Sequence, residues 1–377
     1  MSSDSHIARA GRPGVSFRAA IDGLPGYSAG RSARDLGKGG GAVAALAANE
    51  GPYGPFPAAL QVLRESVPLA NRYPESGSVV LRRCLAESLS LPFERVAVAA
   101  GGIAIIHHTS LALLEPGHEI LQCTPTFHAY ALDARKQGAT TVSVPLRPDG
   151  SYDLEAMLAR IGPMTRLIYV CNPNNPTGGI VRRGELLRFV LSVPPDVLIL
   201  VDEAYREFVD DLEYPDTVRD EAFHLANVLT LRTFSKAYGL AGLRVAYAVG
   251  SPAMVDVLTK VQSNYEVTSL SQCAAVASLA EPAELQRRRD LNRIARKTLM
   301  EGLQRLGQTV LPSHANFVCV QVGAARRMAA ALESNGVIVR PLDAMGDPTS
   351  IRITVGTPVE VLQVLQAFET VLAQRNS

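Results

Sequence analysis

The sequence predicts an α/β protein in which a large domain with a mostly parallel sheet is followed by a smaller α+β domain. From about residue 45, short apolar runs rich in β-branched residues alternate with longer helical stretches, as in parallel sheets covered by helices on both faces. After about Ser263 this alternation ends, and long helical stretches with many charged residues predominate. At 377 residues, the chain is long enough for two domains.

The first two segments of this division are an arm and the large domain. Residues 1–44 are rich in Gly, Ser, Ala and Arg, and are predicted to form an extended arm that belongs to the small domain. Residues 45–262 are predicted to form the large domain, with strands at Val96–Ala99, Glu119–Gln122, Thr141–Val144, Leu167–Val170, Val197–Val201, Val228–Leu231 and Arg244–Val249. The predicted helices between them are Pro57–Ser66, Val79–Ser90, Ile103–Leu114, Ala129–Gln137, Leu154–Ile161 and Arg183–Val193.

Residues 263–377 are predicted to form the small domain. It begins with one long helical stretch, Leu270–Leu306, that is rich in Arg and Glu. Two strand-like runs follow, at Phe317–Val322 and Ile351–Val355. A closing helix is predicted from Val359 to about Gln374.

Composition excludes several classes of protein. A formal net charge of +1 gives no long-range attraction to nucleic acid or to anionic membranes. The five cysteines are scattered singly, without the spacing of a disulfide framework or a zinc site. No apolar run approaches the roughly 20 residues of a membrane span, and the first 17 residues do not resemble a secretory signal. We therefore expect a cytoplasmic protein without metal, nucleic-acid or membrane partners.

Two acidic residues follow a predicted buried strand. The segment Val197–Phe208 reads VLILVDEAYREF, so Asp202 and Glu203 lie at the carboxyl end of the strand, where open α/β sheets bind ligands. A helix-capping role explains Asp202 equally well when this segment is taken alone. The second carboxylate also leaves a metal site open.

A lysine among hydroxyls and glycines follows another strand. In the segment Thr230–Tyr247, Ser235 and Lys236 precede a glycine-containing loop and Arg244. Hydroxyls, close backbone approach and an arginine suit a phosphate-bearing carbonyl compound. Apolar surroundings lower the pKa of a lysine and make it a competent Schiff-base nucleophile. Taken alone, Lys236 is better explained as a surface lysine.

Three motifs together resemble one family. Asn175–Gly178 (NPTG), Asp202–Tyr205 (DEAY) and Ser235–Arg244 (SKAYGLAGLR), in this order, resemble the fold-type I aminotransferases that use pyridoxal 5'-phosphate (PLP). Within them the match is to the branch of histidinol-phosphate and aromatic amino-acid aminotransferases. It runs from about Tyr27 to the end of the chain and includes flanking motifs at Asn49–Pro55, Asn71–Glu75, Ala315–Phe317 and Arg352–Thr357.

The resemblance assigns residues to the cofactor ring. It implies that Lys236 holds PLP as a Schiff base and moves the proton during the reaction. Asp202 would pair with the pyridinium nitrogen, which should lower the pKa of this carboxyl. Asn175 and Tyr205 would hydrogen-bond the phenolic oxygen, and Phe127 would stack on the ring.

The resemblance also assigns the phosphate of the cofactor. Ser235 and Arg244 would bind it through a hydroxyl and a guanidinium. Backbone N–H groups at a helix N-terminus would add further donors, from Gly102, Ile103 and Ala104. Tyr73 would reach the phosphate from the neighbouring subunit, so that a homodimer shares its active sites.

Substrate binding is implied for three further positions. Arg352 corresponds to the arginine that binds the substrate α-carboxylate, and Asn175 lies beside the same group. Arg340 and Tyr27 match positions near the far end of the substrate, and they suit either a phosphate tail or an aromatic ring. The expected reaction transfers an amino group between an aromatic or imidazole-bearing amine and a 2-oxo acid such as 2-oxoglutarate.

Other activities fit the same motifs. Histidinol-phosphate transamination is the first alternative, and PLP-dependent decarboxylases and lyases share the scaffold. A transcription regulator with an aminotransferase-like domain is disfavoured, because the first 44 residues lack the pattern of a helix-turn-helix.

Several local features depart from the family or give false matches. Ile103 and Ala104 stand where the family often has polar or acidic residues, and nothing in the sequence explains Gly51. Residues 37–42 fit the pattern G-x-G-x-x-A, but no apolar strand precedes them, so a dinucleotide site is rejected. His107 and His108 are rejected as a metal site because adjacent residues on a helix point in different directions.

Overall fold

The computed structural model describes residues 17–24 and 43–376. Tyr27 and the glycine-rich segment 37–42 lie outside the described residues. Of the predicted arm, residues 17–24 and 43–44 are described, and the first of these segments contains the short helix Ala19–Asp22.

The large unit is built on the expected seven-stranded sheet. Its strands, in spatial order, are Val96–Ala99, Ala246–Val249, Val228–Thr233, Leu198–Asp202, Thr165–Cys171, Glu119–Thr124 and Thr140–Pro145. Every neighbouring pair is parallel except the two made by Ala246–Val249, which runs antiparallel to both neighbours. The predicted mostly parallel α/β sheet is therefore confirmed.

The order of the strands determines where a ligand can bind. After Glu119–Thr124 the chain adds Thr140–Pro145 on one side, and then returns to add Thr165–Cys171 on the other. Such a reversal opens a crevice at the carboxyl ends of the strands. Asp202 ends the central strand there, in register with Cys171 of one neighbour and Leu231 of the other.

Helices cover both faces of the sheet, since its central strands are buried throughout and need apolar partners on each side. The helices of the large unit are Pro57–Ser66, Val79–Leu89, Gly102–Leu113, Ala129–Lys136, Leu154–Leu158, Arg183–Ser192, Pro252–Val261 and Ser269–Leu279. Short 3-10 turns connect them at Val67–Leu69, Ser76–Ser78, Phe93–Arg95, Arg206–Phe208, Glu221–Phe223 and Ala241–Leu243. The helix Pro252–Val261 was not predicted from the sequence.

The small unit combines an antiparallel sheet with three helices. The sheet order is Arg340–Pro341, Ser350–Thr354, Phe317–Gln321 and Thr309–Val310. The helices are Pro282–Arg305, Ala325–Ser334 and Pro358–Asn376, and a 3-10 turn lies at Asp343–Met345. A short strand, Ala44–Ala45, pairs with Val337–Ile338, and Ala44 and Leu46 lie in the core of this unit.

The predicted helix Leu270–Leu306 is two helices, Ser269–Leu279 and Pro282–Arg305. Proline has no N–H and its ring obstructs the preceding turn, so Pro282 begins a new helix instead of continuing the first. The first of the two packs through Ala274 and Ala275 into a core of the large unit. Packing therefore keeps this helix with the large unit, beyond the boundary at residue 262 that the sequence predicted.

Among the described residues, no helix combines the length and apolarity that crossing a bilayer requires.

Candidate active site

A cleft of about 400 Å³ lies at the carboxyl ends of the central strands. Segments of both units line it. It brings together most of the residues that the sequence motifs indicated: Gly102, Ile103, Phe127, Asn175, Asp202, Tyr205, Ser235, Lys236, Arg244, Arg340 and Arg352. Motifs that are far apart in the sequence therefore meet in one site.

Asp202 is a buried carboxylate in the wall of this cleft. Tyr130 donates its hydroxyl hydrogen to Oδ2 over 2.6 Å, and the N–H of Ala204 donates to Oδ1 over 3.0 Å. Burial raises the pKa of Asp202, although both hydrogen bonds favour the ionised form. The protein groups alone thus raise the pKa of Asp202, whereas pairing with a pyridinium nitrogen was expected to lower it. A buried carboxylate of this kind suits a cation, such as a protonated ring nitrogen.

Tyr130 was not identified from the sequence. Its ring stacks on Tyr169 with centroids 4.2 Å apart and an interplanar angle of 12°. Phe127 contacts the Tyr130 ring edge-on at 5.5 Å. The segment Pro125–Tyr130 (PTFHAY) contains Tyr130, but only the packing of the helix Ala129–Lys136 directs its hydroxyl to Asp202.

Glu203 has a different environment from Asp202. Its side chain is fully buried and accepts from Arg232 over 2.8 Å and from Thr217 over 2.8 Å. Arg232 also pairs with Asp216 at 2.7 Å. Glu203 is thus part of an internal ion-pair network outside the cleft, and within the described ranges no cluster of His, Cys, Asp or Glu could hold a metal ion.

Lys236 follows the strand Val228–Thr233 and projects into the cleft. Burial lowers its pKa to about 8, and the positive charge of Arg352 acts in the same direction. Its Nζ lies 3.5 Å from the carbonyl oxygen of Ala48 and 5.6 Å from the centre of the Tyr205 ring. A larger fraction of this amine than of an ordinary lysine is therefore neutral near physiological pH, and the neutral amine is the form that attacks a carbonyl.

Asn49 orients Tyr205. Its Nδ2 donates to the Tyr205 hydroxyl over 3.0 Å, and its own N–H donates to Oγ1 of Thr354 over 2.9 Å. Asn316 donates to the carbonyl oxygen of Asn49 over 3.2 Å. Both asparagines lie in the flanking motifs of the sequence, but no role was predicted for either from the motifs alone.

Gly51 allows the segment after Asn49 to pass close to Lys236. A Cβ atom at Gly51 would lie 3.0 Å from the carbonyl oxygen of Lys236, which is closer than ordinary packing permits. A side chain here would press on the backbone that carries the lysine. This close approach supplies the physical reason for Gly51 that the sequence did not offer.

Arg352 and Asn175 form a second fixed pair. Arg352 donates from Nη1 to Asn175 Oδ1 over 2.5 Å and from Nη2 to the Ala47 carbonyl over 2.6 Å. Its guanidinium lies 5.6 Å from the centre of the Phe317 ring. Because Asn175 accepts through its oxygen, its amide hydrogens remain donors for other groups.

Tight turns shape one end of the cleft. Gly101 has φ of 88°, and a Cβ there would lie 2.3 Å from Nη2 of Arg244. Gly102 and Ile103 line the cleft at the start of their helix. The N–H of Ala104 instead donates to the carbonyl oxygen of Gly101 over 3.0 Å, so this residue does not match its expected role as a donor to the cofactor.

Ser235 lies at the same end. Its backbone N–H donates to Thr233 Oγ1 over 3.1 Å, and Thr233 Oγ1 donates to Ser235 Oγ over 3.0 Å. Thr233 lines the cleft and was not assigned a role from the sequence. The two hydroxyls, the Arg244 guanidinium and the helix N-terminus together suit a phosphate group.

Arg340, His128 and Met345 line another part of the cleft. Burial lowers the pKa of His128, and the charges of Arg340 and Arg352 lower it further. His128 and Met345 were not singled out from the sequence, because they carry no recognisable motif by themselves.

Tyr73 does not line the cleft of its own chain. It is 82% exposed and stacks on Tyr265 with centroids 4.8 Å apart. Tyr27, the other predicted residue missing from the cleft, lies outside the described residues.

The cleft combines an amine with a lowered pKa, a buried carboxylate and a helix N-terminus on a mostly parallel sheet, and this arrangement suits a PLP enzyme. The chain belongs to the aminotransferase class I and II family, whose sequence profile matches residues 42–368. It is a PLP-dependent aminotransferase of fold type I.

The similar proteins include aromatic amino acid aminotransferases and histidinol-phosphate aminotransferases. The chain is 41% identical to an aromatic amino acid aminotransferase of Thermobifida fusca, over 91% of this chain and 93% of that one. It is 39% identical to histidinol-phosphate aminotransferase 1 of Cupriavidus pinatubonensis, over 90% and 91%. A crystal structure of histidinol-phosphate aminotransferase from Sinorhizobium meliloti with pyridoxal-5'-phosphate superposes with a TM-score of 0.86 at 26% identity, covering 99% of this chain and all of that one.

Proposed function

We propose that this aminotransferase exchanges an amino group between an aromatic amino acid and a 2-oxo acid such as 2-oxoglutarate. The observation that carries the proposal is the combination of a buried arginine, Arg352, with an apolar side chain in one cleft. Arg352 offers donors to a carboxylate, while Met345, which lines the same cleft and has no proposed role at the cofactor, offers apolar contact to an aromatic ring. The likeness to the Thermobifida fusca enzyme supports the same substrate class.

The cofactor residues fit the proposed roles. Bound PLP would supply an aldehyde for covalent attachment and a ring that withdraws electrons. Lys236 provides the amine and then accepts and returns the substrate proton. Asp202, held by Tyr130, keeps a positive charge on the ring nitrogen. Tyr205, oriented by Asn49, and the amide of Asn175 donate to the phenolic oxygen.

The remaining residues bind the two charged ends. Ser235, Arg244 and the N–H groups of Gly102 and Ile103 bind the cofactor phosphate in this proposal. Arg352 binds the substrate carboxylate and, because Ala47 and Asn175 fix its position, loses little freedom on binding.

We infer a homodimer in which Tyr73 serves the neighbouring site. Tyr73, Leu69 and Val67 expose 82%, 65% and 57% of their surface, which is unusual for three large apolar or aromatic residues in one short segment. Coexpression of Lys236→Ala and Tyr73→Ala chains tests this. A mixed dimer should regain activity, because one of its sites would hold an intact lysine and an intact tyrosine.

The cytoplasm is the proposed location. All five cysteines are free thiols, and three of them are buried (Cys123, Cys171 and Cys319). This fits a compartment that keeps thiols reduced.

Steady-state kinetics with several amino donors test the substrate proposal. Phenylalanine and tyrosine should give a higher kcat/KM than histidinol phosphate, with 2-oxoglutarate as acceptor and parallel double-reciprocal lines. A preference for histidinol phosphate by orders of magnitude would overturn the aromatic assignment.

Histidinol phosphate is the second candidate because Arg340 lines the cleft and could bind a phosphate tail. The likeness to the Cupriavidus pinatubonensis enzyme points the same way. Arg340→Gln separates the two candidates. It should leave kcat/KM for phenylalanine nearly unchanged if the substrate is aromatic, and should lower it strongly for histidinol phosphate if that is the substrate.

A further inference from the structure

A buried carboxylate lies behind the turn that precedes the helix Gly102–Leu113. Glu266 accepts from the backbone N–H of Ala100 through Oε1 over 2.7 Å. Its other oxygen, Oε2, accepts from His108 Nε2 over 2.9 Å. The Glu266 and His108 side chains are 12% and 8% exposed. One carboxylate thus links the loop residue Ala100 to His108, which lies in the second turn of the following helix.

The fixed turn is the one that faces the cleft. Ala100 precedes Gly101, which has a positive φ and where a Cβ would lie 2.3 Å from Nη2 of Arg244. The next two residues, Gly102 and Ile103, begin the helix and line the cleft. The direction of their N–H groups depends on the geometry of this turn.

We propose that Glu266 and His108 are positioning residues that hold the Ala100–Gly102 turn in the conformation that binds the cofactor phosphate. The inference rests on the proposed placement of the phosphate at this turn. Neither side chain lines the cleft, so both act through the backbone.

The carboxylate of Glu266 carries a negative charge close to the proposed phosphate site. Burial opposes ionisation, but hydrogen bonds from His108 and the Ala100 N–H hold the pKa of Glu266 below its ordinary value. The carboxylate is therefore ionised near a site for an anion. A negative charge in that position repels phosphate by itself, so its presence is explained by the hydrogen bonds it makes to the turn.

The neighbouring residue of the same segment contacts Tyr73. Tyr265 has φ of 58° and stacks on the Tyr73 ring. One connection between two helices thus holds both the phosphate turn of its own chain and the tyrosine proposed to serve the other chain.

Comparing PLP with pyridoxal, which lacks the phosphate, tests the proposal. Dissociation constants for both are measured on the apoenzyme by the absorbance of the bound cofactor. Glu266→Ala should weaken PLP binding about tenfold, the order expected for a lost hydrogen bond to a charged group, and leave pyridoxal binding within about twofold. Glu266→Gln keeps an acceptor for the Ala100 N–H and should restore most of the affinity for PLP.

Two variants serve as references. Arg244→Ala should remove the preference for PLP over pyridoxal, because Arg244 is proposed to contact the phosphate directly. His107→Gln is the matched control, since His107 is adjacent to His108 but pairs with Asp133 at 3.1 Å, away from the turn. It should bind both compounds like the wild type.

Each other outcome overturns the proposal. Equal weakening of PLP and pyridoxal by Glu266→Ala would mean that the pair only stabilises the fold. Tighter PLP binding would mean that Glu266 acts only as a repelling charge. If Glu266→Ala does not fold, His108→Ala and Glu266→Gln decide, since a turn held by this pair requires His108→Ala to weaken PLP selectively. A wild-type protein that binds both compounds equally would reject the phosphate placement as well.

Discussion

Asp202 and Glu203 are neighbours in the sequence but lie in opposite environments. Asp202 faces the cleft, where a tyrosine hydroxyl and a backbone N–H donate hydrogen bonds to it, and burial raises its pKa. Glu203 lies on the other side of the sheet end, where Arg232 and Thr217 satisfy it and Asp216 shares the arginine. A fully paired buried charge maintains the fold, whereas a buried charge without an ionic partner is available to a ligand.

Of the variants considered, Lys236→Ala should lower activity the most. Its effect should be confined to the chemistry in the cleft and should not extend to a loss of fold stability. Without the amine, covalent attachment of the cofactor and proton transfer are both lost, so kcat should fall by at least about 10⁴-fold. Thermal unfolding of the apoenzyme near neutral pH should show a fold at least as stable as the wild type, because the lowered pKa of Lys236 costs stability there. Normal turnover by the purified variant would contradict the whole functional assignment.

Glu203→Gln should give the largest effect on stability. It leaves Arg232 buried with an incomplete set of partners, and breaking a buried ion pair costs about 3–5 kcal/mol. Urea unfolding monitored by circular dichroism measures this loss. The folded fraction should keep most of its kcat, and a large loss of kcat without loss of stability would remove the distinction between the two acids.

Asp202→Asn should have the opposite effect to Glu203→Gln: activity should be lost while stability is kept. The amide cannot compensate a charged ring nitrogen, so kcat should fall by about 10²–10³-fold, as for removal of one preorganised electrostatic contact. Stability of the apoenzyme should stay equal or rise, because the cost of burying a charge disappears. A strongly destabilised Asn variant would show that Asp202, like Glu203, is a structural residue.

The smallest expected effect is the change with pH in the rate at which the cofactor attaches to Lys236. The pKa of Lys236 is lowered to about 8, so the neutral amine increases as the pH rises towards this value and then saturates. The rate of attachment to the apoenzyme should therefore increase up to about pH 8 and level off above it.

The same lowered pKa affects stability. Between about pH 8 and the ordinary pKa of lysine, the unfolded chain binds more protons than the folded one, so the stability of the apoenzyme should rise with pH there. The Lys236→Met variant should lack this rise. Identical pH profiles for the two proteins would mean that the lysine is not buried in the folded state.

Many elements of the fold followed from local sequence. The strand Val96–Ala99 and the helix Pro57–Ser66 have the predicted ends, because a buried β-branched run and a Pro-initiated apolar helix are local signals. The helix Pro252–Val261 was missed, and the break before Pro282 was overlooked because the surrounding charged helical pattern continues across it. Which unit Ser269–Leu279 joins depends on packing that no local pattern contains.

Some residues of the site were also found from the sequence, and others only from the structure. Lys236 and Asp202 were singled out because each follows an apolar strand and carries chemistry that a core does not need, and the family resemblance added Arg352; the structure places all three in the cleft. Tyr130 and Asn49 remained hidden, because a tyrosine and an asparagine are ordinary residues until the fold brings them to Asp202 and Tyr205.

By itself, the sequence determined the α/β class, the family and the residues whose side chains carry charge or react. These are properties of residue type, period and spacing along one chain. The tertiary structure alone decided which of two adjacent acids faces the cleft, which backbone turn lies beside it, and which distant residues contact that turn. Those outcomes depend on burial and on contacts between segments far apart in sequence, where a few tenths of an ångström separate a hydrogen bond from an unpaired group.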